Sequence, residues 1–156
     1  LAAIGDKHEE DRTAAAAGVG EDVVGDDWRL TLVRGGDSTE LTLADLRALP
    51  QQTVELPIAC VEGWSASATW TGPRMSDVMA AVDTSGADLG VYSLQTRGAF
   101  SATRLPANFA DDPLTLLALE VNGETLSMDH GYPCRVIAPN RPGVLQTKWV
   151  TRLETL

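Results

Sequence analysis

Cys60 stands at the end of an apolar run, Thr53 to Ala59, and opens a segment of a different kind: Val61-Glu62-Gly63-Trp64-Ser65-Ala66-Ser67. A thiolate at such a hand-over can attack an electrophile or take a soft metal, because function concentrates where a rigid strand passes into a loop. The plainer alternative is a buried cysteine used as a small hydrophobe. Glu62 follows closely. If both side chains lined one cavity, the carboxylate could deliver protons there; otherwise it is a solvated glutamate. No second cysteine is near enough for a CxxC redox pair, and nothing in the spacing gives Cys60 a histidine base. Trp64 and Trp70 flank small polar residues, a placement equally suited to simple packing.

A second chemistry-bearing stretch is Asp129-His130-Gly131-Tyr132-Pro133-Cys134-Arg135, followed by a Gly-containing loop from Arg141 through Gly143 to Lys148. His130 can donate to an anion, Arg135 offers a bidentate fork, and such a loop can turn backbone N–H groups toward a phosphate. The chain carries a formal charge of −10, so His130, Arg135, Arg141 and Lys148 are a local cationic exception. Ordinary surface ion pairing is the competing account. Cys134, at the mouth of an apolar strand, reads as structural.

The elements that must position these residues follow from pattern. Trp28, Leu30 and Leu32 alternate with polar neighbours, as a half-buried strand does, and Gly35-Gly36-Asp37 reads as a turn. Thr42 is an N-cap with Asp45 at the capping-box position, and Pro50 ends that helix. Thr53 to Ala59 has strand character. Met75, Val78, Met79 and Val82 place a helix over Pro73 to Val82. Strands are expected over 91–95, 99–103, 114–121, 135–138 and 148–153, with Asn122-Gly123 as a hairpin turn. Strands outnumber helices without alternating with them, which argues α+β and against a doubly wound parallel sheet. Residues 1–27, polar and Ala/Gly-rich, read as an arm or linker, with a disordered tail as the simplest form. Residues 28–156 form the domain.

The length of 156 residues fits one domain, and 44% hydrophobic with 22% charged residues is a globular composition. The acidic balance argues against electrostatic binding to nucleic acid, which needs clustered Lys and Arg. No apolar stretch reaches the ~20 residues of a transmembrane helix.

Taken in order, these motifs resemble the molybdopterin-binding domain of the sulfite oxidase superfamily. The residues that carry the resemblance are Cys60-Val61-Glu62-Gly63-Trp64-Ser65 with Trp70-Thr71-Gly72, Thr115-Leu116-Leu117-Ala118 with Val121-Asn122-Gly123-Glu124, Asp129-His130-Gly131-Tyr132-Pro133 with Arg135, and Lys148-Trp149. The match runs from about Trp28 to the C-terminus. It is nearest the bacterial branch that includes the periplasmic methionine sulfoxide reductase catalytic subunit and membrane-anchored relatives.

The resemblance implies an α+β fold of the sulfite oxidase type, rich in mixed β-sheet with short helices. It implies a molybdenum-molybdopterin cofactor with the Cys60 thiolate as metal ligand. His130 and Arg135 are then expected to contact the pterin and its phosphate. Gln146, Thr147 and Lys148 are expected at the phosphate end, and Thr96, or its neighbour Gln95, near the cofactor. The activity implied is oxygen-atom transfer, with Glu62 supplying protons. Sulfite oxidases follow the ligand cysteine with arginines; here no cation follows Cys60, which favours a neutral oxide such as a sulfoxide over sulfite. Two departures stand out: Asp11 where the family's arm has asparagine, and a short stretch between Arg97 and Thr115. Asp11 would repel a phosphorylated pterin. It therefore keeps open an alternative, the same fold without metal, serving as a binding or structural module. The sequence starts at Leu1 and reads as a piece of a longer protein. A membrane anchor, with a haem domain as electron-transfer partner, is expected outside it, and an extracytoplasmic location with it.

Overall fold

The computed structural model describes residues 13–59, 65–96, 101–139 and 146–156. Cys60, Glu62 and Trp64 lie outside these, as does Arg141.

The described chain begins with a helical turn, α1 (Ala14–Ala17), capped by Thr13, whose hydroxyl accepts from Ala16 N, and closed by Gly18 at φ 77°. A 3-10 turn follows at Glu21–Val24. Ala14, Ala17 and Val19 are buried against Trp149. The disordered-tail reading therefore does not apply to residues 13–27: Ala14, Ala17 and Val19 form a small apolar face that seats on the Trp149 indole, while Ala15 and Ala16 face outward.

The first sheet has five strands in the order β2-β1-β11-β5-β6. These are β1 (Leu30–Arg34), β2 (Asp37–Leu41), β5 (Leu89–Ser93), β6 (Ala102–Leu105) and β11 (Val150–Thr155). β1 and β11 run parallel, and the other neighbours antiparallel. Alternation in β1 puts Leu30 and Leu32 in the core, beside Val91, Leu105, Val150 and Leu153. After β2 comes α2 (Leu43–Ala48), with Thr42 and Asp45 closing a reciprocal capping box. α3 (Met75–Met79) runs into a 3-10 turn at Ala80–Val82, and Met75, Val78 and Met79 complete this core.

The second sheet has the order β3-β4-β8-β9 and is antiparallel. It contains β3 (Gln51–Ala59), β4 (Ser65–Pro73), β8 (Glu120–Val121) and β9 (Glu124–Thr125). Val54, Leu56, Ala68 and Trp70 cover a smaller core with Leu116 and Ile137. Asn122 and Gly123 turn β8 into β9 with φ of 52° and 81°, the left-handed pair a tight hairpin needs.

β7 (Leu116–Ala118) and β10 (Arg135–Ile137) form a two-stranded antiparallel pair between the larger sheets. The run expected as one strand over 114–121 is two. The break falls at Leu119, whose N–H donates to Thr71 O at 2.8 Å, so the chain leaves β10 and joins β4. Gly72 makes the crossing possible: a Cβ there would collide with the Leu117 carbonyl. The remaining helix is α4 (Ala107–Ala110). Among the described residues, no helix is long and apolar enough to cross a membrane. The result is strand-rich with mixed sheets and few short helices, as the α+β expectation has it.

A candidate cofactor site built on one strand and three loops

β10 and the segment 146–150 lie side by side and carry four of the predicted site residues, Arg135, Gln146, Thr147 and Lys148. Val136 N donates to Thr147 O at 2.9 Å and Val150 N to Cys134 O at 3.0 Å. Gln146 reaches back, its Oε1 accepting from Ala138 N at 3.0 Å. The Thr147 hydroxyl meets that of Thr103 at 3.0 Å. Gln146 and Thr147 are both buried.

Arg135 is 6% exposed. Its two terminal nitrogens donate to His130 O at 3.3 Å and to Gln146 O at 3.2 Å. Its guanidinium carbon lies 4.8 Å from the centre of the Trp70 ring, a cation–π distance. One side chain thus ties the His130 turn, the 146–148 segment and the second sheet together.

His130 closes a 3-10 turn (Met128–His130) capped by Ser127. Ser127 Oγ accepts from His130 N at 3.2 Å and meets His130 Nδ1 at 2.7 Å. The Ser127 hydroxyl can donate to Nδ1, the arrangement that leaves the ring proton on Nε2. Burial, then the Lys148 and Arg135 cations, hold the imidazole below its ordinary value, with Asp129 opposing. His130 is therefore a neutral donor at pH 7 within a cationic cluster.

Lys148 Nζ donates to Asp129 O at 2.8 Å and lies 5.5 Å from the centre of the Trp149 ring. Trp149 is the hub behind it: its Nε1 donates to Met128 O at 2.6 Å, its N–H to Gly131 O at 3.3 Å, and its carbonyl accepts from Leu94 N at 2.8 Å. Gly131, at φ 113°, lets the lysine and the arginine share this space; a Cβ there would sit 3.1 Å from the Cβ atoms of both. Thr96 enters from the other side. It binds the arm, with its N–H to Ala17 O at 2.9 Å and its hydroxyl to Gly18 O at 3.2 Å.

The structure therefore brings His130, Arg135, Gln146, Thr147 and Lys148 into one cluster, with Thr96 joined to it through the arm. Cys60 and Glu62 lie outside the described residues. Their segment joins Ala59 and Ser65, which are register partners at the end of the β3–β4 hairpin. The other cysteine, Cys134, is no substitute ligand: it is fully buried, desolvation pushes its thiol far above the ordinary range, and Sγ lies 3.5 Å from Val150 O.

Sequence reasoning missed Asp129 and Trp149 as organisers of this cluster. Both sit inside the quoted motifs, but their partners, Ala14 and Leu94, are far away in sequence. The donor chemistry fits an anionic group: a neutral histidine, a lysine and an arginine in a chain of charge −10. In addition, Gln95 Nε2 is a buried amide donor without a hydrogen-bond partner among the described residues, which a phosphorylated pterin rich in acceptors can satisfy.

Comparison with known proteins agrees with this chemistry. Residues 17–156 match the family described as oxidoreductase molybdopterin binding domain. The mitochondrial sulfite oxidase of Drosophila melanogaster is 33% identical over 159 residues, covering 82% of this chain and 27% of that protein. From Azospira oryzae, the "Putative protein-methionine-sulfoxide reductase subunit YedZ1" is 32% identical over 118 residues, covering 75% of this chain and 44% of that protein. Animal and bacterial relatives thus stand at nearly equal identity. Among solved structures, the sulfane dehydrogenase SoxCD from Paracoccus pantotrophus superposes with a TM-score of 0.71 at 25% identity, covering 83% of this chain and 38% of that chain. The chain spans less than half the length of these relatives. It belongs to the oxidoreductase molybdopterin-binding domain family, and is a molybdopterin-binding oxidoreductase domain with the fold of the sulfite oxidase superfamily.

Proposed function

We propose that this domain catalyses oxygen-atom transfer on a neutral oxide, a sulfoxide in preference to sulfite, with Cys60 as the molybdenum ligand. The bound molybdopterin supplies a two-electron metal centre. The observation that carries the reading is the cluster of His130, Arg135, Gln146, Thr147 and Lys148 in a chain that matches the family from residue 17 onward.

In this reading Lys148 and the His130 Nε2–H face the anionic end of the cofactor, as donors that need no counter-proton. Arg135 acts mainly by position: it is buried and bonded to two carbonyls, so it fixes the His130 and Gln146 backbones while adding positive potential. Gln95 offers its unpartnered amide. Reduction of a sulfoxide to the thioether takes two electrons and two protons and releases water. The Glu62 carboxyl supplies protons near Cys60. Val61 to Trp64, directly after Cys60, include no cation and one carboxylate, which repels a doubly charged anion and tolerates a neutral oxide. A membrane haem domain delivers the electrons, and the domain works on the extracytoplasmic side. Support for the sulfoxide preference is the reductase subunit among the relatives.

The alternative, a metal-free binding or structural module, is favoured by Asp11. Turnover of methionine sulfoxide and of sulfite by the loaded domain, with artificial electron donor and acceptor, tests the preference. Faster sulfite oxidation than sulfoxide reduction contradicts it.

A further inference from the structure

The arm, residues 13–19, is tied to the rest of the molecule at three places, and each adjoins or is a residue read above as holding the cofactor. Ala14 N donates to the Asp129 carboxylate at 2.9 Å, next to His130. Ala17 O and Gly18 O accept from the N–H and hydroxyl of Thr96 at 2.9 and 3.2 Å. Ala14, Ala17 and Val19 pack on Trp149, next to Lys148. Asp129 is used twice: its carboxylate holds the arm and its carbonyl holds Lys148 Nζ at 2.8 Å.

We propose that residues 13–19 form a latch across the cofactor-facing loops, and that the Asp129 carboxylate is its catch, setting how fast bound molybdopterin leaves. This rests on the reading that Thr96, His130 and Lys148 hold the cofactor. A single helical turn does not persist alone, so the order of α1 comes from these attachments. Short segments with few attachments open locally at low cost. The 94–96, 127–130 and 148–149 segments are joined directly through Trp149 and Lys148, and the docked arm adds a second tie among them. A ligand held by all three leaves faster when that tie opens. Asp129 is in this sense a positioning residue, reached from the arm through Ala14 N, while Gly18, whose φ of 77° closes the turn, meets Thr96.

The test uses the full chain, loaded in a host that makes molybdopterin. Pterin released into the filtrate is followed over time by fluorescence after oxidation, with amide exchange at 14–19 measured in parallel. Asp129→Ala is expected to release pterin about tenfold faster, the equivalent of ~1.4 kcal/mol of lost docking. Asp129→Asn keeps an acceptor oxygen without the charge and should fall between. Gly18→Val strains the arm and its contact with Thr96 while leaving Asp129 in place, and should also speed both release and exchange. It keeps the comparison alive if Asp129→Ala melts. Faster exchange in the arm with pterin release at the wild-type rate overturns the latch. Wild-type protein that never holds pterin overturns the cofactor reading beneath it, a result distinct from the first.

Discussion

Arg135 and Trp70 are stacked, guanidinium carbon to ring centre 4.8 Å apart. They join β10 to the neighbouring sheet at the point where the cationic cluster begins. Trp70 is itself fixed by its Nε1, which donates to Leu56 O at 3.3 Å. The cluster is thus built on a buried brace rather than on flexible surface cations.

Removing the brace leaves the His130 and Gln146 carbonyls short of a donor. Arg135→Met is expected to cost about 2–4 kcal/mol, the range for orphaning buried groups that were bonded to a charge. Arg135→Lys keeps the charge but cannot span both carbonyls, and should lie between wild type and Arg135→Met. Urea unfolding midpoints of the three proteins check this. A change within 0.5 kcal/mol, taking that as roughly the scale of ordinary surface substitutions, would mean that the brace is ornamental.

Gly131 is the second point of strain control. Its φ of 113° strains any side chain, and a Cβ there would crowd the Arg135 and Lys148 Cβ atoms at 3.1 Å. Gly131→Ala should cost roughly 1–3 kcal/mol and lower cofactor content as well, because Lys148 must move. Thermal melting and pterin content, measured on the same preparation, separate the two effects.

His130 gives a pH dependence with a definite sign. Its folded value lies below the ordinary 6.5, first through burial and then through Lys148 and Arg135. As pH falls below 6.5 the unfolded chain takes up a proton that the folded chain refuses. The contribution is complete above 6.5 and is lost as pH falls toward the folded value. The Asp45 and Asp88 carboxylates are held below their ordinary values, by the Thr42 cap and by Arg104 respectively, and titrate on the acid side of His130. His130→Gln should therefore flatten the stability loss just below pH 6.5 and leave the acid limb unchanged. Denaturant midpoints across pH 7.5 to 3 report both limbs; an unaltered slope below 6.5 would assign the effect elsewhere.

Thiol counting reads the metal ligand directly. The chain has two cysteines. Cys134 is buried and held in its thiol form by desolvation, so it should resist alkylation in the folded protein. Cofactor-free protein should then take up one equivalent of iodoacetamide, at Cys60, and loaded protein none. Peptide mapping distinguishes the sites. Rapid labelling of Cys60 in molybdenum-loaded protein would remove it as the ligand.

Much of the fold was legible because its signals are local. The Thr42–Asp45 capping box, the Asn122-Gly123 hairpin and the alternation of Leu30 and Leu32 each need only neighbouring residues. β2 was not legible: Asp37 to Glu40 are all exposed, so no hydrophobic period marks them. β4 was hidden by composition, since Ala68 and Trp70 alternate with Ser67, Thr69 and Thr71 and resemble a polar loop. The cationic residues of the site were visible as an excess of charge. Their framework was not, because it depends on pairs such as Ala14–Asp129 and Leu94–Trp149, which no local pattern announces. The role of Cys60 came from the resemblance alone, and its segment lies outside the described residues.

The central claim is that this domain carries molybdenum on Cys60. Metal content by mass spectrometry, on protein from a host that makes molybdopterin, tests it most directly, with Cys60→Ala prepared alongside. The expected result is about one molybdenum per chain in the wild type and loss of the metal in the variant. Well-folded wild-type protein that keeps pterin but no molybdenum, or a Cys60→Ala variant that retains the metal in full, would contradict it.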